Sequence, residues 1–96
     1  MDRTSLSPDD GMIFIWGHDV REGFWMKDTL IPLSVAFVAA DGMIVNIQDM
    51  APLTLDDHRP PVPYRYAVEA NQGFFPRHSI QAGNKVSLAG IQQDYN

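Results

Sequence analysis

The chain has 96 residues, 45% of them hydrophobic and 20% charged, with twelve acidic against seven basic side chains and a formal net charge of −5. That is enough chain for one globular domain, with ordinary apolar content, and the acidic balance disfavours nucleic-acid phosphates or an anionic lipid surface as partners. It has no cysteine, which excludes disulfides, thiolate metal sites and cysteine catalysis.

The first residues, Met1 to Ser5, lack the apolar segment of a secretory leader. The longest apolar stretch, Leu30 to Ala40, is broken by Pro32 and Ser34. It falls short of the ~18 residues of a membrane-spanning helix. As written, the chain is expected in the cytoplasm. A natural start further upstream would allow a periplasmic or secreted location.

Ser7-Pro8-Asp9-Asp10 reads as one helical turn, with Ser7 as cap and Pro8 at the first helical position. Met12 to Trp16 is a short apolar run, expected as a strand buried on both faces. Gly17-His18-Asp19 carries turn chemistry. Gly23 to Thr29 reads as the next strand, which Pro32 confines to an edge or bends. Val35 to Ala39 and Ile44 to Gln48 flank Asp41-Gly42, the strongest short signal for a hairpin. In the second arm Val45 and Ile47 alternate with Asn46 and Gln48, which predicts one wet face and one core face.

Ala51 to Pro63 holds Pro52, Pro60, Pro61 and Pro63. It predicts a solvated linker with polyproline character, or a functional loop. Tyr64, Tyr66 and Val68 alternate with Arg65, Ala67 and Glu69, a strand with one apolar face. Pro76 to Ile80 predicts a helical turn. Lys85 to Ala89 predicts a last strand with Val86 and Leu88 inward. The tally is six short strands and one or two helical turns in a single unit over 1–96. That pattern predicts a mainly β fold, a small antiparallel sandwich or barrel, with a small α+β roll as the alternative.

Gly11-Met12-Ile13-Phe14, then Phe24-Trp25-Met26-Lys27-Asp28-Thr29, then Ile31-Pro32-Leu33 form a distinctive series. Phe37, Asp41-Gly42, Pro52, Tyr66 to Glu69 and Gly73 continue it in order. The series resembles the prokaryotic family called domain of unknown function 192, from Arg3 to about Leu88. The resemblance implies a compact, mostly β fold and carries no activity with it. It raises the expectation of an envelope location, since many relatives look secreted, periplasmic or lipid-anchored. Four polar positions depart from the family pattern: Asp28 stands for the usual Asn, Ser34 for Asp, Leu53 for Cys and Asn84 for Asp. Relatives also carry a strand before the segment matching Arg3 to Leu6. A chain lacking it would expose a sheet edge, and the expectation is a homodimer that pairs across that edge.

If Phe24 to Thr29 were a strand, Trp25, Lys27 and Thr29 would share one face. A flat aromatic ring, an ammonium and a hydroxyl together suit a small polar ligand such as a sugar. The competing expectation puts Trp25 in the core with Lys27 lying along the surface by its aliphatic stem. Asp28, Tyr66 and Glu69 complete the candidate ligand-binding set. Asp28 and Glu69, with a loop histidine, are also the candidates for a small hydrolase or lyase, because general acid–base cleavage needs two groups flanking one bond. His18, His58 and His78 show no His-x-His or His-Glu-x-x-His spacing, so no metal is expected. No phosphate-cradling glycine loop or nucleophile elbow occurs, so no cofactor is expected either. The methionines read as core filler. The leading expectation is a non-catalytic binding module. The rivals are the small hydrolase and a protein-interaction domain with an open sheet edge.

Overall fold

The computed structural model describes residues 11–86. Four strands form one antiparallel sheet: β1 (Gly11–Val20), β2 (Leu33–Val38), β3 (Ile44–Met50) and β4 (Tyr64–Asn71), in the spatial order β1-β4-β2-β3. A single-turn helix, α1 (Phe74–Arg77), follows β4. The chain is thus mainly β and antiparallel, as its alternation predicts.

The Asp41-Gly42 hairpin forms. Gly42 has a φ of 92°, the left-handed conformation that a side chain would penalise, and the Asp41 carboxylate accepts the Met43 N–H at 3.0 Å. The Asp41 carboxyl is held below the ordinary carboxylate range, first by that backbone bond, against which desolvation works, and then by Lys85.

Burial differs from the expected one-sided pattern. Both faces of the central strands β4 and β2 meet core, each covered by its own cluster. One cluster holds Leu33, Val35, Phe37, Met50, Tyr64 and Ala67. The other holds Ala36, Val38, Ile44, Tyr66, Ala70 and Phe75. β2 is buried at all six positions. A register shift between Phe37 and Val38 sends Val45 to the first cluster and Ile47 to the second, where simple alternation puts them on one face.

β1 corrects two expectations. It runs through Gly17-His18-Asp19 as strand, with a register irregularity between Ile15 and Val20 in place of a turn. It is also an edge strand, so Ile13 stays 39% exposed and is not buried on both faces.

The second layer of the expected sandwich is a ribbon of two loops. The segment expected as a strand over Gly23–Thr29 makes only an isolated bridge, Phe24 with His58. It then turns at Lys27 and Asp28, with Asp28 at φ 62°. A left-handed residue ends any extended run, and Asp and Asn are the non-glycine residues that tolerate it best. The proline-rich segment is no free linker. Phe24 and His58 exchange backbone bonds at 2.8 and 2.7 Å, Met26 N donates to Thr54 O at 3.0 Å, and Leu53 N to Thr29 O at 2.9 Å. Prolines at 52, 60, 61 and 63 leave these donors intact.

α1 sits three residues before the expected turn ends, at 74–77. The expected last strand shows as a bridge of Lys85 with Met43, and Val86 packs beside the second cluster. The turn expected at Ser7 to Asp10 and the inward Leu88 lie outside the described residues.

Candidate functional site

An aromatic cluster holds the ribbon on the sheet. Phe24 meets Phe14 edge-on at 5.2 Å between centroids and Phe37 at 5.9 Å, and Tyr64 meets Phe37 at 4.8 Å and Trp16 at 5.3 Å. Phe24 and Met26 therefore point inward, and Met26 has no exposure at all. The Tyr64 hydroxyl donates to the Glu22 carbonyl at 2.5 Å, where the ribbon starts. Asp57 is ion-paired with Arg59. Its carboxylate lies so close to Gly23 that a Cβ there would collide with it. A larger residue at 23 would therefore have to displace the Asp57 carboxylate.

The residue between Phe24 and Met26 must point outward. Trp25 is 49% exposed, and the Lys27 ammonium stands 5.6 Å from the centre of its ring. An ammonium at that range is attracted to an indole face, worth ~0.5–1 kcal/mol at an exposed site. The expected pairing of Trp25 with Lys27 thus occurs, on a loop rather than a strand. The expected third member does not join them. Thr29 follows the Lys27-Asp28 turn and is fully buried, because the turn breaks the period of two.

The other candidates scatter. Asp28 is exposed in the turn. Tyr66 is buried at 7% exposure in the second cluster, on the far side of the sheet from the ribbon. Glu69 is expected on a wet face but has no solvent exposure. It stands opposite Met12 on β1 and Val35 on β2, on the sheet face that the ribbon covers. The layer packed over that sheet face leaves Glu69 no contact with water. Asp28 and Glu69 therefore share no solvent-facing surface.

His18 lies on β1, His78 caps α1 with its ring tilted 4.4 Å from the Phe74 ring centre, and His58 sits on the ribbon. The Phe24 carbonyl can only accept, so His58 Nδ1 donates to it at 3.1 Å. Among the described residues no group of three or more His, Asp or Glu is placed to hold a metal ion.

Sequence reasoning left the proline-rich segment as a linker or a functional loop and singled out none of its leucines as exposed. Leu53 and Leu55, 55% and 66% exposed, flank the ribbon bonds beside Trp25. Leu30 adds another exposed leucine next to Thr29. Leu53 takes a left-handed φ of 61°, a conformation costing roughly 1–2 kcal/mol for an ordinary L-residue. Two exposed leucines spaced two apart were the available signal.

The motifs that run from Gly11 through the Trp25 ribbon to Gly73 have a counterpart in known sequences. Residues 1–88 match the family DUF192, described as an uncharacterised ACR. The chain belongs to DUF192. Two solved structures are similar to this DUF192 chain. One, a candidate transcription regulator from Sinorhizobium meliloti 1021, is 32% identical with a TM-score of 0.83, over 88% of this chain and 67% of its own. The other, a protein of unknown function from Novosphingobium aromaticivorans DSM 12444, is 34% identical with a TM-score of 0.84, over 91% of this chain and 63% of its own. The DUF192 chain thus spans about two thirds of the length of each. No curated protein matches it.

Proposed function

We propose that this chain is a non-catalytic binding module that holds a sugar ring on the surface made by Trp25 and Lys27. The observation that carries the reading is a half-exposed indole on a pinned backbone. Trp25 is 49% exposed, yet both neighbours pack against the core, Met26 fully buried and Phe24 partly, and both are tied across the ribbon, Phe24 to His58 and Met26 to Thr54. A ring held this way pays little ordering cost when a ligand stacks on it. A pyranose presents a C–H face to an aromatic plate, and an ammonium beside the plate donates to hydroxyl or ring oxygens.

The chain has two tryptophans, so its indole N–H signals separate Trp16, partly buried against the core, from Trp25. A panel of methyl glycosides titrated into the labelled protein should shift the Trp25 signal and leave Trp16 in place. Trp25→Ala should abolish binding while circular dichroism stays native. A panel that moves neither indole, or binding that survives Trp25→Ala, overturns the reading.

A second reading is pairing of two copies along β1. Among the described residues, this ten-residue strand pairs with β4 alone and has no strand on its other side. Light scattering that shows a monomer at high concentration counts against it.

The regulator from Sinorhizobium meliloti gives no reason to assign DNA binding here. Phosphate contacts require clustered Lys and Arg, and seven bases against twelve acids do not provide them.

A further inference from the structure

Phe24 and His58 exchange both backbone bonds, at 2.8 and 2.7 Å, as partners of an antiparallel bridge. In extended backbone a residue and its second neighbour leave on the same side. Phe24 packs against the core, so Gly23 and Trp25 on either side of it face outward. They are roughly 6.5 Å apart along the chain, within the span of one pyranose and its hydroxyls. Asp57 shares that outer face, because its Oδ1 takes the place that a Cβ on Gly23 would fill. Arg59, two residues on, reaches Asp57 past His58 and pairs through Nε with Oδ2.

The backbone behind this ion pair is fixed. His58 is tied to Phe24 through its main chain and through its ring. The Arg59 carbonyl accepts the Gln48 side-chain amide at 2.7 Å. Both charged side chains are half exposed, and a surface pair of this kind adds little to stability.

The pair offers an acceptor beside a donor. Oδ2 is engaged by Arg59, and Oδ1 above Gly23 accepts. A guanidinium carries five N–H donors, and the pairing through Nε leaves those on Nη to donate. The two charges cancel, so the unit suits a neutral group with a donor next to an acceptor. Two neighbouring hydroxyls of a sugar are such a group. We propose that the ligand stacked on Trp25 is a neutral pyranose recognised through a vicinal diol, one hydroxyl donating to Asp57 Oδ1 and its neighbour accepting from Arg59 Nη. This rests on the sugar-binding reading above and names the kind of sugar and the residues that select it.

The test titrates methyl glucoside, mannoside and galactoside, then the 2-, 3- and 4-deoxy forms of the tightest, read from the Trp25 indole signal. A hydrogen bond to a charged group is worth about ten-fold in affinity or more. Deoxy forms at two adjacent carbons should each bind about ten-fold more weakly, and the third should match the parent sugar. Asp57→Ala and Arg59→Ala should each weaken the parent sugar by a similar factor with the thermal melt unchanged, and each should cancel the penalty at one of the two carbons. Penalties at no carbon or at carbons that are not adjacent, or affinity unchanged in either variant, overturn this inference and leave sugar binding standing. If a variant loses its native melt, the deoxy series on the unaltered protein decides. Failure of every glycoside to move Trp25 overturns both.

Discussion

The Tyr64 hydroxyl donates to the Glu22 carbonyl at 2.5 Å, from the first residue of β4 to the start of the ribbon. Burial, reinforced by the charge of Glu22, pushes its ionisation up from 10.0 to about 12. The folded chain therefore holds this proton where the unfolded chain has lost it. Its contribution to stability is complete below pH 10 and disappears as pH rises through about 12.

Tyr64→Phe keeps the ring in its aromatic contacts and removes the hydroxyl. Loss of one net hydrogen bond should cost about 1 kcal/mol near neutrality. The alkaline loss of stability should become shallower in the variant. Urea titrations at several pH values check both effects.

Trp25 and Met26 are adjacent and should behave in opposite ways. Met26 is fully buried in the first core cluster, so Met26→Ala should cost about 2–5 kcal/mol. Trp25→Ala changes a surface position and should stay within about 0.5 kcal/mol of the parent. Chemical denaturation of the two variants measures the contrast. Equal losses would place Trp25 in the core and remove the proposed plate.

Phe37 on β2 has no exposure and meets both Phe24 and Tyr64. Phe37→Ala should cost about 3–5 kcal/mol. It should also loosen the ribbon, because Phe24 loses an edge-on partner. Faster amide exchange at Phe24 and His58 than at the β2–β4 bonds is the expected readout.

Leu53 holds a left-handed φ of 61° with its side chain 55% exposed. Glycine adopts that conformation freely, though it loses more freedom on folding. The two effects partly cancel, and Leu53→Gly should stabilise by up to about 1 kcal/mol. A thermal melt of the variant decides it. Marked destabilisation would show that the Leu53 side chain makes a contact worth more than its backbone strain.

Much of the sheet is legible in the sequence. Val35 to Ala39, Asp41-Gly42 and Ile44 to Gln48 declare a hairpin because turn chemistry and β-branched runs are local signals. Tyr64 to Glu69 declares a strand by the alternation of Tyr64, Tyr66 and Val68 with Arg65, Ala67 and Glu69. The pairing of Trp25 with Lys27 on one surface was also foreseeable, although a pinned loop produces it and a regular strand does not. Thr29 was misplaced because one left-handed residue, Asp28, resets the alternation. Glu69 was misplaced because a strand's own pattern cannot say whether a second layer covers its polar face.

The sequence by itself determined the mainly β class, the hairpin and the family, since each is carried by neighbours along the chain. Only the tertiary structure decided that the segment expected as a strand over Gly23 to Thr29 and the proline-rich segment pair with each other over one sheet face. That pairing consists of backbone bonds between residues about thirty apart, such as Met26 with Thr54. Backbone donors and acceptors are alike in every residue except proline, so no side-chain pattern announces which ones meet.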